Sequence, residues 1–317
     1  MPPPSRTSPT FKTPPKFILA AFYKFIPLPD YGDMRGPLLK LCEKHDICGS
    51  VLLAEEGINA TIAGSKQGLQ IILNYLQSDP RLADIVPKFA THDEAPFKRM
   101  KIRLKKEIVT LGIPSLVPTE RRGTPIQPKD WNAVINRPDM MVIDTRNDYE
   151  TQIGTFENAV DPKTKTFREF PDWVEKLKQE MADKPKPEIA MFCTGGIRCE
   201  KASALMLKWG FPEVYHLKGG ILNYLEHIPA EESKWHGECF VFDERVAVGH
   251  DLIVGTFSNC AACGRPLSPE DLRLAGYEPG VSCRHCIGAI TEDQMKRFRT
   301  RARNRSRDLK VKTLGHP

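Results

Sequence analysis

The sequence predicts an α/β multidomain protein: an N-terminal α+β domain, a central α/β domain with a parallel sheet, and a C-terminal four-cysteine module with a basic tail. Three observations carry this. Strand-like and helix-spaced runs follow one another as β-α-β-β-α-β over residues 16–115. Over 129–232, short apolar runs alternate with helical patterns, the signature of a sheet covered on both faces. Near the C-terminus, two Cys-x-x-Cys pairs are separated by 19 residues.

The chain has 317 residues and 40% hydrophobic content, enough for two or three cores. No run approaches the ~18 apolar residues of a membrane span, so no membrane partner is expected. Residues 1–15 are proline-rich, lack an apolar signal region and read as a disordered leader. The expected location is cytoplasmic, where nine cysteines imply thiols and metal ligands rather than disulfides. Net charge is +6, but nine Lys/Arg and one acid lie between Lys296 and Lys312. The tail (296–317) is therefore a basic appendage suited to a polyanion.

In the first domain, Phe17–Ile26 reads as a strand and Arg35–His45 as a helix with Leu38, Leu39, Leu41 and Cys42 at helical spacing. Strands at Ile47–Ala54 and Ile58–Ala63 flank Glu55-Glu56-Gly57, read either as a plain turn or as a substrate-facing loop. A helix over Lys66–Gln77 and strands over Val86–His92 and Met100–Leu111 complete a ferredoxin-like order. Arg99, Lys101, Arg103 and Lys105 alternate, so on a strand they share one face. That stripe is either a solvated face or a surface for a phosphate backbone.

Residues 116–128 form a proline-bearing linker, and Trp131 opens the central domain. Met140–Asp144 is a short buried strand leading into Asp144-Thr145-Arg146-Asn147-Asp148-Tyr149-Glu150, where Asp144 and Arg146 read mainly as scaffold. A helix spans Pro171–Met181, and Val214–Ile221 is a strand ending in a glycine turn before a short helix, Leu222–His227. Between them, the run Ile189–Phe192 enters Cys193-Thr194-Gly195-Gly196-Ile197-Arg198-Cys199, and a helical pattern follows.

A cysteine at a strand-to-helix turn receives the helix's N-terminal amides and positive dipole end. Gly195 and Gly196 let the backbone curl over the sulfur, and Arg198 adds a fixed cation. These features favour a nucleophilic thiolate at Cys193. Arg198 orients the loop, binds an anion or pairs with a neighbouring acid. Cys199 either resolves an oxidised Cys193 or simply packs in the helix. Lys201 either adds positive potential or lies on a solvated helix face. Arg198 comes five residues after Cys193, one short of the cysteine-phosphatase spacing, which suits a sulfur-sized cargo. The pattern resembles a rhodanese domain, whose cysteine carries a persulfide.

The last segment, 233–295, holds Cys260, Cys263, Cys283 and Cys286. Four thiolates at this spacing close a tetrahedron around structural Zn2+, the alternatives being a redox dithiol pair or an iron–sulfur cluster. His285 is expected to be a bystander. A helix from Thr291 to about Arg303 leads into the tail.

The chain as a whole resembles the rhodanese-like tRNA uridine(34) hydroxylases of bacteria over about Phe17–Cys286. The resemblance rests on Glu55-Glu56-Gly57-Ile58-Asn59, Phe97-Lys98-Arg99-Met100-Lys101, Ile143-Asp144-Thr145-Arg146-Asn147, the loop Cys193 to Lys201, and Leu217-Lys218-Gly219-Gly220-Ile221. It implies O2-dependent conversion of the wobble uridine to 5-hydroxyuridine, with Cys193 essential, tRNA (the anticodon loop) as partner, and an unidentified reductant as electron donor. No GxGxxG fingerprint for a flavin or nicotinamide cofactor is present, nor a His-His-carboxylate triad near the loop. Two rival readings are a sulfurtransferase working through a Cys193 persulfide and a non-catalytic RNA-binding protein.

Overall fold

The computed structural model describes residues 17–92, 96–116 and 118–314, with the side chains of 305–314 left out. The expected leader, 1–15, lies outside the described residues. The chain divides into two compact units, 1–109 and 110–317.

In the first unit the elements are β1 (Phe17–Phe25), α1 (Tyr31–Lys44), β2 (Cys48–Ala54), β3 (Gly57–Gly64), α2 (Lys66–Gln77), β4 (Lys88–His92) and β5 (Met100–Leu104). Strands β4-β1-β3-β2 pair antiparallel, the ferredoxin-like order, and β5 adds an edge parallel to β2. Ala20, Phe22, Val51, Leu53, Ile58, Ile62 and Ile102 face the core with Leu69, Ile72, Leu73 and Leu76 of α2. Helix α1 begins before the expected Arg35 and runs through Pro37. Burial of Leu38 and Cys42 and the Arg35 Nε bond to the Ile102 carbonyl (3.1 Å) outweigh proline's helix penalty.

The last strand ends at Leu104, not Leu111. Ile108 is taken out of the ladder because its N–H donates to Glu56 Oε1 (2.6 Å) and its carbonyl accepts from Asn59 Nδ2 (3.0 Å). The Glu55–Asn59 turn thus clamps the chain leaving the sheet. Gly57 is obligatory there, since a Cβ would lie 2.0 Å from the Lys24 carbonyl oxygen at φ +140°.

The second unit opens with β6 (Thr124–Ile126), inside the expected linker, followed by α3 (Pro128–Ile135), β7 (Met140–Asp144), α4 (Asp148–Thr151), β8 (Gly154–Phe156), α5 (Phe170–Glu180), β9 (Glu188–Phe192), α6 (Ile197–Lys208), β10 (Val214–Leu217) and α7 (Gly220–His227). The sheet order is β6-β10-β9-β7, all parallel. Strand β6 carries Pro125, tolerated because the strand is at the edge. Strand β11 (Trp235–Gly237), in the segment expected to start the cysteine-rich module, pairs with β8. Trp235, Cys239, Val241 and Val248 join the core of Trp131, Phe156, Phe192 and Tyr224. The last helix, α8 (Glu292–Leu314), continues beyond Arg303, as a run rich in helix-forming Arg and Lys allows. Among the described residues no helix is long and apolar enough to cross a membrane.

Candidate active site and metal centre

Strand β9 delivers Phe192 into an aromatic cluster and Cys193 to the C-terminal end of the sheet. The Phe156 ring lies 4.8 Å from Phe192, 4.7 Å from Tyr224 and 5.2 Å from Trp235, each edge-on. Each pair adds about 1 kcal/mol beyond burial and fixes the strand end. The chain then turns through Thr194, Gly195 and Gly196 into α6. Gly196, at φ +97°, directs its N–H to the Cys193 Sγ at 3.1 Å. Gly195 borders open space.

The β10–α7 turn closes the loop from outside. Ile221 N donates to the Cys193 carbonyl at 2.9 Å, and Leu222 N to the Thr194 carbonyl at 3.1 Å. A Cβ on Gly220 would stand 2.4 Å from the first of these oxygens and 2.5 Å from the second.

Arg198 is buried and paired, as one of its alternatives had it. Its two terminal nitrogens donate to Glu150 Oε1 (2.7 Å) and Oε2 (2.8 Å). Thr194 Oγ1 also donates to Oε2 at 3.2 Å, and Asn147 N to Oε1 at 3.2 Å. Glu150 is the residue the sequence reading missed. Its local signal is the Asn-x-x-Glu spacing of a helix N-terminus, which does not reveal a partner 48 positions away.

Burial pushes the Cys193 thiol up. The Cys199 thiol, which donates to the Cys193 sulfur, the Arg198 charge and the N–H groups of Cys199 and Arg198 together outweigh it, holding Cys193 down at about 6. Cys199 moves the other way: burial, and then its bond to Cys193 and that sulfur's negative charge, push it well above the usual thiol range. The proton therefore stays on Cys199 while Cys193 is the thiolate. Thr145 Oγ1 lies 3.6 Å from the Cys199 sulfur.

Asp144 and Arg146 form a fully buried pair at the end of β7. Arg146 Nε donates to Asp144 Oδ1 at 2.9 Å, and Thr155 Oγ1 to Oδ2 at 2.9 Å. Lys201 is not on a solvated face but fully buried. The segment entering β6 meets α6 at two neighbouring positions: Arg122 pairs with Glu200 at 2.9 Å, and Gly123 N donates to Ser203 Oγ at 2.9 Å.

Arg99, Lys101, Arg103 and Lys105 are all exposed. Lys101 and Arg103 lie within β5, and bonds from Gly49 N to the Arg99 carbonyl (3.2 Å) and from Lys105 N to the Leu53 carbonyl (2.8 Å) extend the ladder to both flanks. The stripe belongs to the first unit, and the thiolate to the second.

Cys260, Cys263, Cys283 and Cys286 bring their sulfurs within 4.8 Å of one another and could hold a metal ion. Cys260–Cys286 is 4.0 Å, Cys263–Cys283 3.7 Å and Cys283–Cys286 3.7 Å. Thiolates about 2.3 Å from a tetrahedral ion stand about 3.8 Å apart, so the donor set fits. His285 is outside the set and accepts from Arg284 Nε at 3.3 Å.

Residues 17–108 match the UPF0176 acylphosphatase like domain, and residues 127–227 the Rhodanese-like domain. The chain is similar to the tRNA uridine(34) hydroxylase of Sinorhizobium medicae (strain WSM419), 55% identical over 90% of this chain and 90% of the relative. It is similar also to those of Acaryochloris marina (strain MBIC 11017), 52% identical over 91% and 92%, and Sinorhizobium fredii (strain NBRC 101917 / NGR234), 53% over 94% of each. Identity at this level across both domains and the cysteine module identifies the chain as a member of the tRNA uridine(34) hydroxylase family.

Proposed function

We propose that the chain converts uridine 34 of tRNA to 5-hydroxyuridine, with Cys193 as the reactive atom. The observation that carries this is the Cys193 sulfur held as a thiolate against the Gly196 N–H, in a chain more than half identical to proteins named for that reaction. Arg198 keeps the loop in register through Glu150, and Cys199 stabilises the thiolate by donation.

The thiolate adds to C6 of the uracil, which makes C5 nucleophilic. C5 takes one oxygen atom from O2. The second oxygen leaves as water, consuming two electrons and two protons from a separate reductant. Loss of the C5 proton and departure of the thiolate from C6 restore the ring and the enzyme. The base must leave its stack to reach a buried sulfur, and anticodon-loop bases can be splayed out. Arg99, Lys101, Arg103 and Lys105 offer an exposed stripe for RNA phosphates, and Gly195, beside open space, lets the substrate approach. The four cysteines hold structural zinc, which supplies folding energy rather than redox chemistry.

Nucleoside mass spectrometry of tRNA from a deletion strain tests the reading. Wild type restores 5-hydroxyuridine and Cys193→Ala does not. Full restoration by Cys193→Ala overturns the role of the sulfur, and fast thiosulfate-to-cyanide transfer without any change in tRNA favours a sulfurtransferase.

A further inference from the structure

The four-cysteine centre and the reactive loop are linked through one ion pair. Gly264, at φ +77°, reverses the chain after Cys263. Gly264 N donates to the Cys260 carbonyl at 2.8 Å, and Cys260 N to the Arg265 carbonyl at 2.9 Å. The knuckle turn therefore sets where Arg265 points. Its Nη2 donates to Asp148 Oδ2 at 2.8 Å, across 117 residues of sequence. The two side chains are only 27% and 19% exposed. The other Asp148 carboxylate oxygen is buried with no partner among the described residues. Arg265 is thus the charge that balances a mostly buried carboxylate.

Asp148 opens α4, and its own N–H is tied to the Thr164 carbonyl at 2.8 Å. Two residues on, Glu150 accepts from Arg198 and Thr194, flanking the reactive sulfur. A short rigid path runs from the metal-binding turn to the turn that holds the loop. We propose that Arg265 is a positioning residue that fastens the four-cysteine knuckle to α4, so that metal occupancy and the order of the Cys193 loop are coupled. In its functional consequence this rests on Cys193 being the reactive atom; the coupling itself does not.

The test is amide hydrogen exchange on the full-length, zinc-loaded protein, resolved to peptides covering 147–153 and 193–200. Arg265→Ala and Asp148→Asn should each speed exchange in both peptides by roughly fivefold, the effect of losing a partly buried pair on local opening. Arg299→Ala serves as the control. It removes a cation of α8 that pairs with Glu278 of the module at 2.7 Å, and should leave both peptides at wild-type rates. Stripping zinc from the wild type should reproduce the Arg265→Ala pattern, and stripping it from Asp148→Asn should add little in these two peptides. Asp148→Asn keeps the test decisive if Arg265→Ala fails to load metal, because it leaves the knuckle untouched. Unchanged exchange in Asp148→Asn, or equal acceleration in Arg299→Ala, overturns the coupling. Failure of the catalytic reading appears elsewhere, as 5-hydroxyuridine made by Cys193→Ala, and leaves the exchange result standing.

Discussion

Glu150 holds Arg198 through both carboxylate oxygens, at 2.7 and 2.8 Å, with both side chains buried. The cation beside the Cys193 sulfur is thereby neutralised on one side and immobile. Burial alone pushes the Glu150 carboxyl up, and the charge and hydrogen bonds of Arg198, with the Arg146 charge and the Asn147 N–H, together more than reverse this. Removing one member strands the other in a water-poor site. Glu150→Gln should cost about 3–5 kcal/mol in urea unfolding, while Glu150→Asp, which keeps the charge, should cost less.

The thiolate gives a pH signature. Alkylation of Cys193, followed by peptide mass spectrometry, should rise with pH and level off above about 6, whereas an ordinary thiol rises until about 9. Replacing Arg198 with Met should move the midpoint up. The same shift has a stability consequence. The folded state holds Cys193 deprotonated at a pH where the unfolded chain holds the proton. The stabilisation is therefore complete above pH 9 and is lost as pH falls through about 6.

Two glycines beside the same sulfur should respond oppositely. Gly220→Ala places a methyl 2.4 Å from the Cys193 carbonyl oxygen at φ +69°, so we expect a loss of about 1–3 kcal/mol and a slower-reacting thiol. Gly195→Ala meets nothing within 4 Å. It should leave the melting temperature close to wild type and raise KM for tRNA, checked by thermal unfolding beside steady-state kinetics.

Much of this was readable because the signals are local. The strand, the glycines, Arg198 and the helix lie within one short stretch, so the Cys193 loop showed itself. The two Cys-x-x-Cys pairs did so because ligand spacing is itself a local pattern. What escaped notice depends on distant partners. Glu150 has the local look of a helix-start residue, and only the fold brings it to Arg198. Lys201 reads as a surface lysine, and only the fold shows that α6 is buried at that position. The strand from Met100 stops early because Glu56 and Asn59, some fifty residues upstream, capture the backbone of Ile108. Strand β6 was hidden by Pro125, whose presence argues against a strand unless an edge position is known in advance.

Metal content should be one equivalent of zinc by elemental analysis, and Cys283→Ser should abolish it. Chelation should lower the melting temperature, and the freed thiolates should take up protons, a change visible in weakly buffered solution with a pH indicator once the chelator's own proton release is subtracted.

The basic stripe makes a quantitative claim about salt. The logarithm of tRNA affinity should fall linearly with the logarithm of salt concentration. Lys101→Gln and Arg103→Gln should each reduce that slope by about 0.7–0.9. An unchanged slope in both variants would remove β5 from the RNA surface.

The two bonds from α7 to the carbonyls of Cys193 and Thr194 have a further implication for redesign. A phosphate cradle needs one more residue between cysteine and arginine than this chain has. Inserting it would carry those carbonyls away from Ile221 and Leu222, so the graft would also have to rebuild the 218–222 turn. The length of the loop between cysteine and arginine is thus held by a neighbouring helix, which acts as a gauge clamped to two of its carbonyls.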